Sequence, residues 1–191
     1  MRKKGDDGAF RSARRAKERL GWTDLELIEG IAAVIPLNKS ILDLGAGQGR
    51  YVKALLKKGY DVDGVDGAYD VEVHTKGLIK HANLTKELVN CGIHDWGLFL
   101  EVGEHIPPEK EEDLLRVITT ISYTHSLIVS WATIGQKGRD HVNCHSSVYI
   151  ASEFARREWF VDEDATTKLR SYLGKQNSYR GKVMVLRDET D

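Results

Sequence analysis

One segment constrains the fold more than any other: Ile41-Leu42-Asp43-Leu44-Gly45-Ala46-Gly47-Gln48-Gly49. A short apolar run reads as a buried strand. Glycines at its end let the backbone bend tightly and let a ligand approach it. Arg50 to Lys58 continues with helical periodicity and stops at Gly59, a residue suited to the left-handed C′ position. A second strand, Asp61 to Asp66, follows at once. Strand, glycine turn, helix and strand in this order form a parallel βαβ unit, whose first turn faces the ligand crevice of a doubly wound sheet. The spacing is G-x-G-x-G. It is neither the G-x-G-x-x-G of dinucleotide enzymes nor a P-loop, because no Gly-Lys-Ser/Thr follows.

The rest of the chain keeps the alternation. Thr23-Asp24-Leu25-Glu26 reads as a capping box with Thr23 as N-cap, opening a helix that Pro36 ends. Leu78 to Leu84 reads as a third strand, Trp96 to Val102 as a fourth and Ser126 to Trp131 as a fifth. Helices are expected over 109–122, 146–159 and 164–172, with a short strand near Phe160 and a last strand over 182–186. Alternating strands and helices predict one α/β domain over residues 23–191, with a mostly parallel sheet covered on both faces.

Residues 1–22 differ in charge from the body. They carry Arg2, Lys3, Lys4, Arg11, Arg14, Arg15, Lys17 and Arg19 against Asp6, Asp7 and Glu18, whereas the whole chain has a formal net charge of −1. A basic arm on an acidic body can meet a phosphate or carboxylate, or simply be solvated. No apolar stretch reaches the ~18 residues of a membrane span, and the basic start has no apolar signal core. Two cysteines, Cys91 and Cys144, are too few for a disulfide framework or a cysteine zinc site. A reducing, cytoplasmic setting is the expectation.

The carboxylates then narrow the ligand. Asp43 precedes the glycine turn, and Asp66, followed by Gly67, closes the second strand about 20 residues on, where a carboxylate accepts hydrogen bonds from a ribose diol. A ligand with a ribose, an adenine and a cationic amino-acid tail suits two such acids. In these residues the chain resembles motif I of the class I S-adenosylmethionine-dependent methyltransferases. Val62 to Asp66 is similar to that family's ribose-binding segment, and His81-Ala82-Asn83-Leu84-Thr85 to the segment beside the adenine. Leu100-Glu101-Val102-Gly103-Glu104-His105-Ile106 resembles its fourth-strand motif. The resemblance implies a Rossmann-like, seven-stranded sheet with an antiparallel last strand. It also implies methyl transfer from S-adenosylmethionine, leaving S-adenosylhomocysteine. Cofactor residues on this reading are Asp43, Gly45, Ala46, Gly47, Gly49, Asp66, Gly67, Asn83, Leu84, Glu101 and Val102. At Asn83 many relatives carry Asp; the amide oxygen of Asn still accepts a bond from the adenine amino group.

Glu104 and His105 fall just past the fourth strand. His141 and Asn143 fall in a long polar loop, 132–145, past the fifth, where its glycines suit a lid. His105, His141 and Glu104 are the candidate catalytic groups, an imidazole being suited to take a proton near neutral pH. Trp131 and Asn143 are candidate substrate contacts. The E-x-x-E-H spacing also resembles metal-dependent RNA 2′-O-methyltransferases, with Glu101, Glu104, His105 and His141 as ligands. The same spacing occurs in metal-free relatives, so no metal is assigned. The expected acceptor is an oxygen or nitrogen of a small molecule. A nucleic acid is the weaker alternative, since no Asn-Pro-Pro-Tyr motif and no separate RNA-binding domain is present. A cofactor-binding module without catalysis and a nicotinamide enzyme are the remaining readings.

Overall fold

The structure, a computed structural model, describes residues 5, 7–9, 24–86, 91–120 and 125–188. The arm's lysines and arginines and Thr23 lie outside the described residues.

Helix α1 (Leu25–Val34) is capped by Asp24, not Thr23: the Asp24 carboxylate accepts from the Leu27 N–H at 2.9 Å. Glu26 accepts from Gly174 N–H and Asn177 Nδ2 at 2.9 Å, and Thr23, the other half of the expected capping box, lies outside the described residues. Strand β1 (Ser40–Leu44) leads through the glycine turn into α2 (Arg50–Lys57), then β2 (Asp61–Asp66). A five-residue helix, α3 (Val71–Thr75), precedes β3 (Lys80–His81). The expected third strand therefore shrinks to two residues. Gly77, at φ +80°, turns the chain just before it, and the Asn83 side chain accepts from the Thr85 N–H and turns it just after.

Strand β4 (Trp96–Leu100) ends one residue before Glu101, whose φ of +55° breaks the extended path. Two short 3₁₀ turns (Gly103–His105 and Pro108–Lys110) lead into α4 (Glu111–Thr120). Then come β5 (Ser126–Ser130), α5 (Ser147–Ala155), β6 (Trp159–Val161), α6 (Glu163–Ser171) and β7 (Met184–Asp188).

The seven strands form one sheet in the order β3-β2-β1-β4-β5-β7-β6. The first five are parallel to one another, while β7 runs antiparallel to both β5 and β6. The period-2 alternation of the strands splits the core. Ile41, Leu98 and Ile128 face α1, α2 and α6 with Leu27, Leu55 and Leu169. Leu42, Phe99 and Val129 face α4 and α5 with Leu114, Ile118 and Phe154. Strand order reverses between β1 and β4, and the crevice for a ligand opens beyond their carboxyl ends. Among the described residues no helix is long and apolar enough to cross a membrane.

Candidate active site

The glycine turn is built around close contact. Gly45 sits at φ +86°, and a Cβ there would lie 2.5 Å from Val102 Cγ2, so no other residue fits against the segment that follows β4. The N–H groups of Gly45 and Ala46 both donate to Val65 O at 2.9 Å, which fixes the turn on β2. Helix α2 has Gly49 as its N-cap and so no side-chain cap, which leaves its first N–H groups to solvent or a ligand. Asp66 holds the other side. Its carboxylate accepts from Gly47 N–H at 2.9 Å and Ala68 N–H at 2.8 Å. Burial raises its pKa, and those two N–H bonds oppose the rise. Asp43 lies beneath the turn and is almost fully buried. One of its oxygens has no hydrogen-bond partner. Burial, and then repulsion from Asp66, push its carboxyl up to about 7.

One open cavity joins these groups. Its walls include Gly45, Gly47, Asp66, Gly67, Asn83, Leu84, Glu101, Val102, His105 and Ile106, and the N-terminal residues Asp7, Gly8 and Ala9 close it. On the β4 side, His105 Nδ1 lies 3.2 Å from Asp140 O. A carbonyl only accepts, so Nδ1 carries the hydrogen and Nε2 is the basic atom of the ring. The His105 and His141 rings meet edge to face at 5.0 Å. Glu104 is buried, with neither carboxylate oxygen hydrogen-bonded, and His141 Nε2 is 3.9 Å from Glu104 Oε1. Burial and then the neighbouring Glu101 hold the Glu104 carboxyl well above its ordinary range. Ligand atoms of Glu104, His105 and His141 all fall within 4.8 Å of one another. Glu101 is committed elsewhere: it pairs with the buried Lys182 and accepts from Ser130 Oγ at 2.9 Å and Gln136 Nε2 at 3.1 Å.

No protein-family model and no curated protein sequence matches the chain. Solved structures do. The methyltransferase domain of a bacterial Hen1, CtHen1-C, superposes with a TM-score of 0.61 at 16% identity, over 85% of this chain and 94% of that one. Magnesium protoporphyrin IX methyltransferase (ChlM) from Synechocystis PCC 6803, with bound S-adenosylhomocysteine, gives 0.63 at 16% identity over 92% and 93%. The fold is that of the class I methyltransferases. The small RNA methyltransferase HEN1 shares this methyltransferase fold at a TM-score of 0.65 and 13% identity, over 86% of this chain; the match spans 25% of HEN1. At these identities the likeness carries the fold alone.

Within that methyltransferase fold the residues singled out from the sequence divide into three groups. Eight of the expected cofactor residues border the cavity: Gly45, Gly47, Asp66, Gly67, Asn83, Leu84, Glu101 and Val102. Asp43, Ala46 and Gly49 support the turn without lining it. His105 is on the wall, with Glu104 and His141 directly behind it. Trp131 and Asn143 do not reach the cavity. Trp131 is buried against Phe99 and donates its indole N–H to Asn143 O at 2.6 Å, while Asn143 Nδ2 donates to Glu111 Oε2 at 2.6 Å. Both tie the loop after β5 to the core. The end of that loop is pinned further by Val142 and Asn143 N–H groups on Glu104 O, and by His145 on Glu111 at 2.8 Å. Burial pushes the Cys144 thiol up, away from the thiolate form. Sequence reasoning missed Asp7, Gly8, Ala9, Ile106 and the Glu101 partner Lys182. The Gly5-Asp6-Asp7-Gly8 turn signal was the only local sign of the first three.

Proposed function

We propose that the chain is an S-adenosylmethionine-dependent methyltransferase acting on an oxygen or nitrogen of a small molecule in the cytoplasm. The observation that carries this reading is the cradle at the switch point. There a turn that admits no Cβ at Gly45, the open backbone at Gly47 and the Asp66 carboxylate face together into one cavity. The residues fit the cofactor. Asp66 has acceptor sites left for the ribose diol, and Gly47, where a Cβ would meet nothing within 4 Å, leaves room for close approach of the tail. Bound there, S-adenosylmethionine supplies an activated methyl group. The chain's own residues orient it between the β1 and β4 ends, exclude water under Asp7 to Ala9, and present His105 Nε2 to take the acceptor's proton.

A second reading has its own support, the unpartnered Glu104 carboxylate beside His105 and His141. These three would hold a divalent cation, which lowers the pKa of a bound hydroxyl and suits a 2′-O acceptor on RNA.

Calorimetry with S-adenosylhomocysteine on wild type and Asp66→Ala tests the cradle: binding is expected in the first and its loss in the second. Transfer of labelled methyl groups to a cell extract split into small-molecule and RNA fractions, with and without Mn²⁺, separates the two acceptors. Label confined to RNA and dependent on the ion would replace the first reading with the second. No heat with the cofactor product would end both.

A further inference from the structure

We infer that Asp7, reaching over from the N-terminal segment, supplies the carboxylate that recognises the amino group of the cofactor's adenine; the inference rests on the functional reading above. An exocyclic amine is a donor and requires an acceptor. Asn83, the residue beside that position in the sequence, has none to offer. Its amide oxygen accepts from Thr85 N–H at 2.9 Å and Thr85 Oγ1 at 2.8 Å, and its Nδ2 donates to Asp7 Oδ2 at 2.8 Å. Asp7 thus stands where the acceptor is needed, held there by the very amide that lacks one. Its second oxygen accepts from Ala9 N–H at 3.1 Å. Each carboxylate oxygen has two acceptor sites, so the pair retains capacity for a ligand, and Asp7 is on the cavity wall.

The placement of the segment is supported independently of these bonds. A Cβ on Gly8, at φ +81°, would lie 2.5 Å from His105 O and 2.9 Å from Ile106 Cα. A Cβ on Gly67 would lie 2.7 Å from Ala9 Cβ. The segment therefore fits closely against the wall after β4 and the wall after β2, and spans the cavity between them. Asp66 sets the ribose at the end of β2. Asn83 and Leu84 follow β3, the next strand outward in the sheet, so the base lies on the side where Asp7 is bonded.

The test compares S-adenosylhomocysteine with S-inosylhomocysteine, in which a carbonyl replaces the adenine amine. Both are titrated calorimetrically into the full chain as wild type, Asp7→Ala and Asp7→Asn. Wild type should prefer the adenosyl ligand, and Asp7→Ala should weaken it about 10- to 100-fold, the range for a lost charge-assisted bond. Binding of the inosyl ligand should change less than about threefold. Asp7→Asn, which gains a donor, should move the preference toward the inosyl ligand. Equal loss of both ligands would show that the segment only covers the cavity, and unchanged binding of both would show that Asp7 does not touch the base. Either result overturns the inference while leaving the functional reading standing. Absence of wild-type binding to S-adenosylhomocysteine overturns both.

Discussion

Asp43→Asn isolates the cost of ionising an acid beneath the glycine turn. In the folded chain burial and then Asp66 disfavour the charge of the Asp43 carboxyl and push it up to about 7 from its ordinary 3.8. That rise corresponds to about 4 kcal/mol. The sign follows from proton binding. Between pH 4 and 7 the folded state holds the proton that the unfolded state has lost, so stability is fully present below pH 4 and falls as pH rises toward 7. Within the window the slope is about −1.4 kcal/mol per pH unit. The amide cannot ionise. The difference in unfolding free energy, variant minus wild type, should therefore climb by about 4 kcal/mol from pH 4 to pH 8. An unpaired amide N–H costs about 1–3 kcal/mol at every pH, which shifts the curve without tilting it. Urea titrations at five pH values, without ligand, measure the difference. A flat or falling difference would mean that Asp43 is ionised in the fold at no cost, and the account of the turn would fail.

Three further outcomes follow from packing and pairing. Lys182→Met leaves the Glu101 carboxylate without its buried cation and should cost about 3 kcal/mol; adding Glu101→Gln should recover part of it, read from urea midpoints. Phe154→Ala empties a fully buried site between α5 and the sheet and should cost about 3–5 kcal/mol in the same assay. Asp24→Ala removes the α1 cap and the bond from Asn177 Nδ2 at 2.8 Å, and should lower stability by about 1–2 kcal/mol, with a matching drop in the thermal midpoint.

What the sequence disclosed depended on range. The β1 turn, Gly59 at the end of α2 and the apolar run of β5 are set by neighbours a few residues away, and their bounds were legible. The end of β4 was not, because Glu101 leaves the extended path to meet Lys182, 81 residues along the chain. Trp131 read equally well as a ring awaiting substrate or a core plug. Its indole N–H meets a carbonyl 12 residues on, a contact no periodicity encodes. Asp7 was hidden for the same reason: 76 residues separate it from Asn83, and the charge count of its segment pointed only to cations. Local pattern thus marked the floor of the cavity, and distant pairing built its cover and its far wall.

Strand β7 lies between β5 and β6, although β6 comes first in the chain. Trp159 to Val161 can join the sheet only through Leu186 to Asp188. A growing polypeptide that has just emerged past α6 therefore holds one strand with nowhere to dock and a β5 rim with its hydrogen-bonding groups bare. Closing this edge of the sheet therefore waits for the last strand of the chain.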